Sequence, residues 1–86
     1  MINIENVPPE LRRLIPLVQQ FGITDDWARE DRLKAATSSE LAELKRAVLV
    51  HDDSLDRWLA DPGASETDEY IKFSAMRMAA DSVPDR

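Results

Sequence analysis

The sequence predicts an all-α fold, a compact bundle of four to five short helices forming one small domain. Three observations predict it. Apolar residues recur at spacings of three and four, as they do along one face of a helix. Helix-start chemistry precedes several of these stripes. No stretch alternates with period two, and no Asn-Gly or Asp-Gly pair marks a hairpin. With 86 residues and no cysteine, the chain has a thin core and no disulfide to reinforce it.

Residues 1–7 read as an extended lead-in. Pro8-Pro9 then sets the first turn of a helix, where a missing N–H costs nothing. Leu11, Leu14, Ile15, Val18 and Phe21 form its stripe over residues 8–21. Pro16 interrupts that stripe and predicts a kink or a restart, and Gly22 suits the position after the helix. A second helix is expected over 24–36. Thr24 would be its cap, Asp25 and Asp26 would complement its dipole, and Trp27, Leu33 and Ala36 would be its apolar contacts.

Thr37-Ser38-Ser39-Glu40 has capping-box spacing and starts a helix over 38–50, with Leu41, Leu44 and Val48 on one stripe. Asp52-Asp53-Ser54 offers another start, with Leu55, Trp58 and Leu59 behind it over 53–60. Whether 38–60 is one helix or two stays open at this level, although Ser and Asp favour a break. Asp61-Pro62-Gly63 is a turn signal. The last helix, expected over 66–82, begins among acids and is apolar around most of its girth. Such a helix belongs at the centre of a bundle or between subunits. The expected core is Leu14, Val18, Leu41, Leu44, Val48, Trp58, Ile71 and Phe73, and residues 83–86 read as a frayed tail.

Net charge is −6, and its placement is more informative than its sum. Asp52, Asp53, Asp56, Asp61, Glu66, Asp68 and Glu69 stand against Arg57 alone in residues 51–69, while the remainder of the chain is balanced. Phosphate binding draws on clustered Lys and Arg, so direct nucleic-acid binding is disfavoured. A helix-turn-helix over 25–36 and 38–50 would place Glu40 and Glu43 where base-reading side chains should stand. The start of the chain lacks a basic region and a long apolar run, and no apolar run approaches a membrane span, so a cytoplasmic protein is expected.

Catalytic constellations fail one by one. There is a single histidine and no cysteine, which excludes the usual nucleophile triads. His51-Asp52-Asp53 could hold a divalent metal only weakly, since further ligands from other helices are missing. A calcium-loop reading from Asp61 puts Gly63 at position 3 and Glu66 at position 6, and the match fails. Asp25-Asp26 and Glu30-Asp31 read as helix-start and salt-bridged surface acids. The two glycines cannot build a phosphate-cradling loop. No catalytic residue, metal ligand or cofactor is therefore expected.

What remains is a protein-interaction module, non-enzymatic, whose acidic segment engages or inhibits a partner with a basic surface. Trp27, Trp58, Tyr70, Met76 and Met78 are the candidate interface anchors, because aromatic and Met side chains serve both cores and recognition surfaces. The alternative is a homo-oligomer built on the last helix. A weak carboxylate and histidine metal site near His51 is the third reading.

Overall fold

A computed structural model of the chain describes residues 2–63 and 67–83. Among them are five α-helices, α1 Ile15–Phe21, α2 Asp26–Ala35, α3 Ser38–Val50, α4 Asp52–Leu59 and α5 Asp68–Asp81, preceded by two 3₁₀ segments, Ile4–Asn6 and Pro9–Leu14. The predicted all-α bundle is what the chain forms. The lead-in differs from expectation. Asn3 accepts the Glu5 N–H on its side chain and closes a 3₁₀ turn, and Val7 behind it is buried.

The Pro16 disruption takes a specific form. Residues 9–14 wind as 3₁₀ helix, and the α-helix begins at Ile15, which places Pro16 in its first turn, where no backbone donor is lost. Leu11, Leu14, Val18 and Phe21 stay on one buried side through this change. Asp25, rather than Thr24, caps α2 by accepting the Ala28 N–H at 2.8 Å. The capping box at Thr37 and Glu40 is fully formed, with reciprocal bonds of 3.1 and 2.9 Å. The open question at 38–60 resolves into two helices. His51 separates them and, with φ −105° and ψ 17°, terminates α3 and precedes α4.

α5 is the central element. It packs on α1, α2 and α3, and Phe73, Met76, Ala79 and Ala80 on its inner side join the buried cluster that, among the described residues, all the helices except α2 share. Burying side chains such as Phe73 or Leu44 stabilises by about 1.5–3 kcal/mol each. α2 contributes Leu33 and its flanking Ala36 only as partly buried neighbours of that cluster. Arg32 compensates by lying over the Phe21 ring, 4.6 Å from its centre, and by reaching Glu40 of α3 at 3.3 Å.

Two expected core residues are corrected. Leu41 is only partly buried, and Ile71 is 48% exposed. α5 has apolar residues on nearly every side, so periodicity could not decide which side would face in. Val83, expected to begin a frayed tail, packs against the core, and Lys45 donates to the Ala80 and Val83 carbonyls at 3.3 and 3.2 Å. The rest of that tail lies outside the described residues. No helix among the described residues is long and apolar enough to cross a membrane.

Candidate functional site: the outer face of the last helix

The acidic segment does not present one outward surface. Asp52 and Asp56, one turn apart on α4, both contact the Arg77 guanidinium on α5, Asp52 at 2.9 Å and Asp56 closer still. The hydrogen bond that Arg77 donates to Asp56 is the chief cause that holds Arg77 above its ordinary pKa, and Asp52 and Asp81 add to it. Glu69 is 4% exposed and faces inward. It accepts from the Asn3 backbone N–H at 3.0 Å and from the Asn6 side-chain amide at 2.9 Å. The Asn3 bond, then the Asn6 bond, hold its carboxyl below the usual range despite burial. Asp61 is exposed and accepts from Gly63 in its own turn at 3.0 Å. Asp53 and Asp68 are exposed, and Glu66 lies outside the described residues. The expected set of seven is thus split between an inter-helix ion cluster, a buried anchor and separate exposed positions.

The candidate anchors divide as well. Trp58 is core, meeting Phe73 edge-on at 5.0 Å and Tyr70 at 6.2 Å between ring centres. Met76 is fully buried, so it cannot touch a partner. Tyr70 is partly buried, with its hydroxyl donating to the Leu59 carbonyl at 2.8 Å. Trp27 turns out to be 81% exposed, which corrects its expected place among the apolar contacts of α2. Met78 is 51% exposed and remains available as an anchor.

Ile71 and Met78 stand seven residues apart, two turns along the same side of α5. With Ala75 and Ser74 they line a cleft of about 240 Å³ whose opposite wall is Thr24, Asp26 and Arg29 at the start of α2. Arg29 bridges this wall, pairing with Asp26 and donating to the Ile23 carbonyl at 2.9 Å. Along its other edge, toward α4, the Ile71–Met78 stripe is bordered by Arg77 with Asp52, Asp56 and Asp81. Sequence reasoning missed Ile71 as a surface residue and Arg77 as the hub of three acids. The i, i+7 spacing of Ile71 and Met78 was visible, but not which side of α5 they would occupy.

His51 is tied to its own helix. Its Nδ1 donates to the Ala47 carbonyl at 2.9 Å, one turn back in α3. Among the described residues no group of three or more His, Asp or Glu is placed to hold a metal ion. A shallow cleft beside it is lined by Arg46, Ala47 and Val50 of α3, without a carboxylate pair. Compared with known protein families, curated proteins and solved structures, the chain matches none.

Proposed function

We propose that this protein is a non-enzymatic protein-interaction module whose contact surface is the outer face of α5, engaging a partner that combines apolar and basic residues. The observation that carries this reading is the pair Ile71 and Met78, about half exposed on one stripe of a helix that is otherwise the centre of the bundle. Large apolar side chains grouped on a polar-rimmed surface favour association, because covering them releases water. The cleft beside them has one mainly apolar wall, from α5, and one polar wall, Thr24, Asp26 and Arg29, a lining that suits recognition. The net charge of −6 supports a partner with basic residues; part of it, Asp52, Asp56 and Asp81, stands around Arg77 at the margin of this face, and the rest lies at separate exposed positions.

Affinity capture from native lysate, run in parallel with wild type and with the double variant Ile71→Asp/Met78→Asp, tests the reading. A partner retained by wild type and lost by the folded variant is the expected result. A partner retained equally by both removes this face from the account.

A further inference from the structure

The two edges of the Ile71–Met78 stripe differ in charge. On the α2 edge Asp26 is offset by Arg29. On the α4 edge Asp52 and Asp56 pair with the single guanidinium of Arg77, and Asp81 stands one turn further along α5, which leaves negative charge in excess. Lys72 does not correct this excess, because it lies beside Gly22 and Val18 on the α1 side of the helix. The stripe spans two helical turns, about 10 Å, the repeat at which a helix laid in a groove presents its anchors.

Resting on the proposed role of this face, we infer that its occupant is one amphipathic α-helix of a partner protein, seated along Ile71 and Met78 with Lys or Arg on the flank that meets the α4 edge. A basic flank adds the cation that Arg77 alone does not supply. A second copy of this chain fits worse. Paired antiparallel about a two-fold axis, the α4 edges would abut and repel. Paired parallel, the acidic edge would meet the neutral Asp26–Arg29 edge. Neither arrangement brings a spare cation to the excess carboxylate. Asp81 is exposed, stands one turn beyond Arg77 on α5 and, unlike Asp52 and Asp56, is not in an ion pair with the guanidinium, so it is the acid of this edge open to a partner's cation.

The probes are two synthetic helical peptides of about 18 residues with identical Leu faces, one flanked by Lys and the other by Glu. Each is titrated into the full chain carrying labelled Ile and Met methyls and observed by NMR. The Lys peptide is expected to shift the Ile71 and Met78 methyls and to bind at least about tenfold more tightly than the Glu peptide, a difference of ~1.4 kcal/mol. Asp81→Asn, an exposed change that leaves the core untouched, should weaken the Lys peptide about threefold or more. Ile71→Asp should abolish the response, with circular dichroism confirming that the variant is folded.

Equal binding of both peptides, or binding indifferent to Asp81→Asn, overturns the charged-flank assignment. If neither peptide binds while lysate capture still depends on Ile71 and Met78, the helical partner is overturned and the interaction face stands. If capture is also indifferent to those residues, both fall. Light scattering that shows a dimer lost on Ile71→Asp replaces the partner helix with a second copy.

Discussion

Asn6 donates its side-chain amide to Glu69 at 2.9 Å, across 63 residues of sequence. With the Asn3 N–H on the other carboxylate oxygen, this bond fastens the first 3₁₀ turn to the start of α5. Glu69→Ala would leave both donors without their acceptor, at a cost of about 1–3 kcal/mol. Glu69→Gln should cost less, since one acceptor oxygen remains. Urea unfolding of the three proteins at neutral pH gives the order.

The same anchor predicts acid sensitivity. The folded-state pKa of Glu69 is lowered, chiefly by the Asn3 bond, so its contribution is complete above the unfolded-state pKa. It is lost as pH falls through the folded-state value. Glu40 has the same sign, because the Thr37 N–H and then Arg32 stabilise its charged form. Wild type should therefore lose stability as pH is lowered from about 7 to about 3. Glu69→Gln should show a shallower loss over that range. Identical slopes for the two proteins would contradict the role given to this carboxylate.

Gly22 supplies a steric prediction. A Cβ there would lie 2.5 Å from the Val18 carbonyl oxygen and 2.7 Å from that of Lys72, both backbone atoms. Gly22 has a negative φ, so the requirement is for space between the end of α1 and α5 and not for an unusual backbone angle. Gly22→Ala should destabilise by about 1–3 kcal/mol, the cost of forcing packed elements apart. Thermal unfolding measures it.

The tryptophans should behave as opposites. Trp58→Ala empties a core site against Phe73 and should cost about 3–5 kcal/mol. Trp27→Ala should change stability by less than about 0.5 kcal/mol, as exposed substitutions do. Trp27→Phe should leave a blue-shifted emission that acrylamide quenches weakly, and Trp58→Phe the reverse. Matching quenching of the two single-tryptophan proteins would refute the burial assigned to either.

Helix starts were the most legible part of the sequence because they are set by local chemistry. The capping box at Thr37 and Glu40 and the turn at Asp61-Pro62-Gly63 both depend on residues a few positions apart. The division at His51 was half legible, since the competing signals of Leu49-Val50 and Asp52-Asp53 meet there. The acidic surface was misread for a physical reason. Whether a carboxylate faces water or a neighbouring helix depends on contacts such as Asp56 with Arg77, which join residues distant in sequence. Ile71 and Trp27 show the same gap from the apolar side. Hydrophobicity placed Ile71 in the core and left Trp27 open between a contact of α2 and an interface anchor, and the interior around α1, α3 and α5 is filled by other residues.

His51 is the sole residue between α3 and α4. A junction that short contains no slack to absorb a change in length. One inserted residue would turn α4 by about 100° about its axis. Trp58 and Leu55 would leave the interior, and the carboxylates of Asp52 and Asp56 would swing off the guanidinium they now clasp. The phase of one helix relative to its neighbour, fixed at a single joint, therefore decides both the integrity of the core and the charge displayed at its margin.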